Sequence, residues 1–448
     1  MRFPTLSASI EELLDLANTE KRGFYTGRYL VTYKQGAHSE AAQSLQLSAD
    51  AHIARAEDFS ENIVDFAALG DAQSLLLPEL NVAIVTPADG GVMLNALAAD
   101  ESSPIESFDH ETFMFPASDS WRHYLRGFAA ASDRIRQDLL GAEAAPVPAP
   151  ELEFEQEAVA AAATWGLVAT RVTASNSSGR GIQIAVLDTG IDLTHPDFAD
   201  RNIVSASFIP GQTVQDRHGH GTHCIGTACG PRAPVGVPRY GIAYDSQIFA
   251  GKVLSNSGSS VGGSVLAGMN WAVANRCQVI SMSLSGPGGP FSAFTNAGRA
   301  ALEAGCLVIA AAGNESRRPM IIAPTGNPAN SPTIMSVAAV DESLNVASFS
   351  NGGKVEIAGP GVNVFSSWIV PKRYNTISGT SMATPHVAGI AALFAQSTPG
   401  LSSRALWAVL TARARHLPVP PRDVGAGLSM APKVGATVAG NGDREILP

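Results

Sequence analysis

Beyond Gly181 the chain alternates between short apolar runs rich in β-branched residues and longer segments of helical character. That alternation constrains the fold more than any other feature. Residues 182–187 read IQIAVL, and comparable runs recur at 248–254, 278–284, 307–312 and 334–340. Residues 262–274 and 292–304 lie between them and read as helices. Strands that alternate with helices predict an α/β fold, a mostly parallel sheet flanked by helices. Ligands of such folds bind outside the carboxyl ends of the strands. Functional residues are therefore to be sought directly after these runs, and the polar motifs lie there.

Asp188 ends the first run, in Val186-Leu-Asp188-Thr-Gly-Ile-Asp192. A carboxylate at the end of a buried strand can orient a histidine and stabilise its imidazolium; the alternative is an ordinary turn residue. The second motif is Asp216-Arg-His218-Gly-His220-Gly-Thr-His223-Cys224. Three clustered histidines raise the question of zinc, but no set of further ligands stands at zinc spacing. In Ala310-Ala-Ala-Gly313-Asn314, a side-chain amide after a strand can donate to a developing oxyanion, or can simply be a left-handed turn residue. The fourth motif is Ser378-Gly-Thr-Ser381-Met-Ala-Thr-Pro-His-Val-Ala-Gly389. A tight turn there delivers Ser381 to the start of an apolar helix, where unpaired N–H groups point towards negative charge. A helix-capping serine is the alternative.

The string around Ser381 resembles the nucleophile motif of the subtilisin-like serine peptidases. The order Asp188, His220, Asn314, Ser381 is also that of this family, and not of chymotrypsin or the α/β-hydrolases. Cys224 after the second histidine is a proteinase K-like feature. The resemblance spans about residues 165–437. It implies a serine endopeptidase acting on polypeptides, with His220 as base, Asp188 orienting it, Ser381 as nucleophile and Asn314 as oxyanion donor. His223 would be a structural neighbour and His218 a surface residue. Ser283, Leu284, Ser285 and Gly286 match one wall of the substrate cleft, and Ala311, Ala312 and Gly313 match the other. Ser285 stands where the family pattern has Gly, which narrows the pocket, and residues 255–260 match a second substrate-pairing segment. No carboxylate is seen that would select basic side chains, so an apolar or aromatic preference is expected. No cofactor is required for the chemistry, but structural calcium is suggested at Asp197, and at Glu356 with the carbonyls of Pro332 and Ile334. Other activities on the same framework are a peptide ligase or cyclase and an inactive peptide-binding scaffold.

Residues 1–115 mix short strands and helices, a small α+β domain. Its place ahead of a subtilisin-like domain at 161–440 resembles a propeptide, which implies a tethered inhibitor of the same chain. Between them, 118–140 has helical spacing and 141–157 is rich in Ala, Pro and Glu, an extended linker and the expected processing zone. Residues 1–160 carry 26 acidic against 10 basic side chains, whereas 161–448 carry 14 against 20. The two parts could attract each other, or each be a solvated surface. Cys277 and Cys306 each precede a strand, at a height that allows a disulfide; buried free thiols are the alternative. No apolar run reaches about 18 residues, so no membrane span is expected, nor is a nucleic-acid partner. Glu11, Glu12, Asp15 and Glu20 leave no apolar core for a signal peptide. The protein then stays inside, has lost a leader, or leaves by another route.

Overall fold

The computed structural model describes residues 4–47, 52–86, 91–117 and 162–433. The helix expected at 118–140 and the linker at 141–157 lie outside the described residues. In the first unit, α1 (Ile10–Thr19) opens with a reciprocal cap between Ser9 and Glu12. It is followed by β1 (Tyr25–Tyr33), α2 (His38–Leu47), β2 (Ile53–Arg55), β3 (Ser74–Leu77), β4 (Val82–Val85), α3 (Val92–Ala99) and β5 (Ile105–Pro116). The strands lie in the order β5-β1-β4-β3-β2. The stretch 37–56 is rich in Ala throughout, a composition that favours one helix. Instead α2 ends at Leu47, and 53–55 pair with β3 in the register Ile53↔Ser74.

The second unit contains α4 (Trp165–Ala169), β6 (Gln183–Asp188), β7 (Ile203–Ser207), α5 (His220–Cys229), β8 (Gln247–Lys252), β9 (Ser260–Val261) and α6 (Gly262–Ala274). Next come β10 (Val279–Met282), β11 (Leu284–Ser285), α7 (Ser292–Glu303), β12 (Leu307–Ala311), β13 (Met335–Val340) and β14 (Ile357–Pro360). The chain continues through β15 (Val364–Ser367), β16 (Tyr374–Ile377), α8 (Thr380–Ser397), α9 (Ser403–Arg413) and α10 (Pro421–Val424). Strands β14-β13-β12-β10-β6-β8-β7 form one sheet, parallel at every pair. Its central strands are buried on both faces, as helix-covered parallel strands must be. Strand order reverses between β6 and β10, and Asp188 ends β6 at this switch point. Residues 380–394 of α8 are all buried, so this helix runs through the core and carries Ser381 with it.

The two units share one hydrophobic core, in which Leu30, Leu75 and Ile84 belong to the same cluster as Ala185, Leu266 and Phe294. Two acids of β5 cross the boundary at helix starts. Glu111 accepts from the N–H of Gly263 in α6 at 2.7 Å, and Asp109 accepts from that of Ala293 in α7 at 3.0 Å. Both acids thus sit against the positive ends of helix dipoles. β5 pairs with β1 and then runs on into the second unit, where its end lies antiparallel to both β9 and β11.

Candidate active site

The four sequence motifs meet around the end of β5. His220 is the first residue of α5, and its Nδ1 lies 2.7 Å from Asp188 Oδ1, with both side chains buried. The Thr189 N–H also donates to Oδ1, at 2.7 Å. Burial works against a charged imidazole, but the charge and hydrogen bond of Asp188, with a contribution from Cys224, carry the His220 pKa well above its ordinary value. Lys252 lies outside the four motifs, although a lysine ending a buried strand is a signal in itself. It is buried, donates to the Thr189 carbonyl at 2.6 Å, and sits where Asp216 and Asp188 attract its charge. Burial outweighs that attraction and lowers its pKa to about 8.

The other histidines do not join His220 in a metal site. His223 Nε2 is 3.0 Å from the Val364 carbonyl, and burial with the nearby His220 pushes its pKa down to about 3. His218 is half-buried, not a plain surface residue: it gathers with Pro116 around Gly258 at the rim of the cleft.

Asn314 is held in one orientation. Its Oδ1 accepts from the N–H and hydroxyl of Thr380, at 3.0 and 2.9 Å, which leaves Nδ2 to donate. Nδ2 donates to the carbonyl oxygen of Ala117, the residue after β5, and the Ser381 N–H points at the same oxygen from 3.4 Å. The Ala117 N–H donates to the Ser283 carbonyl at 3.1 Å. The Ser381 hydroxyl donates to that carbonyl too, at 2.9 Å, and His220 Nε2 has no hydrogen-bond partner among the described residues. With the end of β5 in place, His220 and Ser381 are both buried.

The cleft walls follow from the same strand. Leu284 and Ser285 pair with Pro116 and Phe115, and a side chain at Gly286 would collide with Met114. On the other side Ser260 pairs with Met114 and Val261 with Phe113. Docking at this segment therefore occurs at its end, because Ser255 to Ser259 close on themselves as a turn. A cavity of about 210 Å³ opens beside Ser285 and Gly286, completed by Glu315, Pro324, Thr325 and Gly326. Ser285 Oγ leans over Gly326 so closely that a Cβ there would overlap it, which narrows the cavity. Glu315 supplies a carboxylate unforeseen in the sequence, with its Oε2 accepting from Asn351 Nδ2 at 2.5 Å. Ala311, Ala312 and Gly313 are buried at the end of β12. The Ala312 carbonyl holds the Gly326 N–H at 2.9 Å, and the Gly313 N–H donates to Thr380 Oγ1 at 3.1 Å.

Neither acid proposed for calcium offers a free carboxylate cage. Asp197 Oδ2 accepts from the hydroxyls of Tyr240 and Tyr374, donors where a cation needs acceptors. Glu356 Oε2 accepts from the Lys354 ammonium and the Ser336 N–H, each at 2.7 Å. The Ile334 carbonyl does point into this site, but its partner is again Lys354. The donor sets therefore do not fit calcium. All four cysteines are free and buried, and burial pushes the Cys277 thiol up to about 12. Among the described residues no helix is long and apolar enough to cross a membrane.

The sequence pattern of the subtilase family matches residues 179–427, a stretch that contains Asp188, His220, Asn314 and Ser381. Subtilisin Savinase of Lederbergia lenta is 40% identical over 244 residues, 53% of this chain and 86% of that protein. M-protease of Shouchella clausii (strain KSM-K16) is 39% identical over 258 residues, 56% of this chain and 65% of that protein. The cuticle-degrading protease of Metarhizium anisopliae is 41% identical over 247 residues, 51% of this chain and 60% of that protein. The match thus spans less than two thirds of the last two relatives. A parallel sheet with Asp188 at its switch point, His220 and Ser381 at helix starts, and a family match over more than half its length place this chain in the subtilase family.

Proposed function

We propose that the chain is a serine endopeptidase precursor whose first unit inhibits it and is cut from it between Ala117 and Ser118. One observation carries the reading: the Ala117 carbonyl oxygen lies on Asn314 Nδ2 and faces the Ser381 N–H, while β5 is held between two strands as an extended peptide. That is the arrangement of a peptide about to be cut, or just cut, after residue 117. Relatives named as proteases and subtilisins support the reaction class.

The step follows from the geometry. The Ser381 hydroxyl turns from the Ser283 carbonyl towards His220 Nε2, which takes its proton as Oγ attacks the carbonyl carbon of Ala117. Asp188 holds Nδ1 and stabilises the imidazolium. Asn314 and the Ser381 N–H receive the negative oxygen; a donor of this kind contributes about 10²–10³ in turnover. His220 then protonates the leaving amine of Ser118, and water releases the acyl group from Ser381. Other polypeptides would follow the same course once residues 1–117 have left, each in place of β5. The narrowed cavity with Glu315 beside it suits a small or slender side chain before the cut, a narrower choice than the apolar or aromatic one read from sequence.

The test is the intact mass of the full chain over time, beside its Ser381→Ala variant. The expected result is a fragment ending at Ala117 and a partner beginning at Ser118 in the wild type alone. A first cut within 141–157, or identical cutting of both proteins, would overturn this assignment.

A further inference from the structure

The contacts of Lys354 amount to a cation site already filled by the chain. Its Nζ donates to Glu356 Oε2 at 2.7 Å, to the Ala329 carbonyl at 2.9 Å and to the Ile334 carbonyl. An ammonium has three N–H groups and accepts nothing, so these three oxygens satisfy it completely. The cage is assembled from separate stretches. Ala329 and Ile334 come from the loop after the cavity wall, and Glu356 lies just before β14 and accepts the Ser336 N–H from β13. The Lys354 carbonyl accepts from Thr325 Oγ1 at 2.7 Å, so the same residue ties down the wall itself. Trp407 closes one side, its ring centre 5.8 Å from Nζ.

Carbonyl and carboxylate oxygens directed at one point are what a hard divalent cation takes. They are equally what an ammonium takes, and the two cannot share the point: a second cation beside Nζ would meet its charge in a poorly screened setting. We propose that Lys354 is a resident cation that stands in place of a metal ion, keeping the loop 325–334 and the cavity wall fastened without calcium. Removing the lysine uncovers a latent divalent-cation site made of Glu356 and the carbonyls of Ala329 and Ile334. This inference concerns stability and ion binding, and does not depend on the reaction assigned above.

The experiment uses the full chain in a Ser381→Ala background, so that no proteolysis intrudes. Thermal unfolding is followed with calcium and with chelator, and terbium is added as an emissive stand-in for calcium that Trp407 can sensitise. The parent is expected to melt at the same temperature in both media and to give no Trp-sensitised terbium emission. Lys354→Ser is expected to melt several degrees lower in chelator, to recover part of the loss in calcium, and to acquire terbium emission. Glu356→Gln in the parent keeps the shape of the cage while removing the counter-charge. It is expected to lower the melting temperature equally in calcium and chelator, and it serves even if Lys354→Ser does not fold. The proposal is overturned if the parent itself shows calcium-dependent melting that Glu356→Gln abolishes. It is equally overturned if Lys354→Ser matches the parent in chelator and binds no terbium.

Discussion

At the scale of single residues, the site is a set of side chains each fixed by a second group. Asn314 donates outwards because Thr380 occupies its oxygen, and Asp188 faces His220 with the Lys252 charge below it. This fixing has a consequence for pH. His220 must be neutral to accept the serine proton. Burial favours the neutral form, yet Asp188 raises the net pKa well above the ordinary imidazole value. The base is therefore lost by protonation at a higher pH than a free imidazole would be. The acid limb of kcat/KM for the released domain is expected above the ordinary histidine range. Asp188→Asn removes the charge, and is expected to move that limb to lower pH while turnover falls by about 10⁴. A pH–rate profile on a chromogenic peptide checks this; a limb that stays put in the variant would show that Asp188 does not set it.

At the scale of elements, β5 does most to join the two units. Glu111, fully buried on it, accepts from Arg28 Nε and Thr26 Oγ1, each at 2.6 Å, and from the first turn of α6. Glu111→Ala would leave the Arg28 guanidinium buried without its counter-charge, a change that costs about 3–5 kcal/mol. That cost falls on the first unit itself, and the bond from Gly263 is lost with it, so residues 1–117 carrying the change, added in trans, are expected to inhibit about tenfold more weakly or worse. The exposed Glu106→Ala is expected to change little. Inhibition constants measured side by side decide this, and equal losses in both variants would count against the buried pair.

This strand also marks where sequence stopped being informative. Asp188, His220, Asn314 and Ser381 were legible because each lies at a strand end or a helix start and because their order resembles that of a known family; local pattern alone left an ordinary turn or cap as the alternative. Strand β5 was not legible. Ser107, Asp109 and Glu111 break its apolar run, and the acids are tolerated only because distant helix ends and Arg28 receive them. Phe-Met-Phe-Pro-Ala says nothing of a cut until β9 and β11 close on it. Glu356 resembles a metal ligand in sequence, but nothing local showed that Lys354, two residues away, donates to the same carboxylate and to the carbonyls of Ala329 and Ile334.

At the scale of the whole molecule, the acidic first part and basic second part suggested attraction between charges. The boundary is instead an apolar core with two acids at helix starts, so docking is expected to respond weakly to salt. The shared strand has a further outcome for a population of molecules. On the proposed reading, a cut after Ala117 would break one bond while β5 stays held between β9 and β11, so the cut molecule would remain silent until its first unit departs. The earliest molecule to shed that unit would then destroy the released units of its neighbours, which could not rebind. Activity should therefore arrive as an ignition: a lag that shortens with protein concentration and vanishes when a trace of active enzyme is seeded. Progress curves at several concentrations test this, and a lag of constant length would mean that each molecule keeps its own clock.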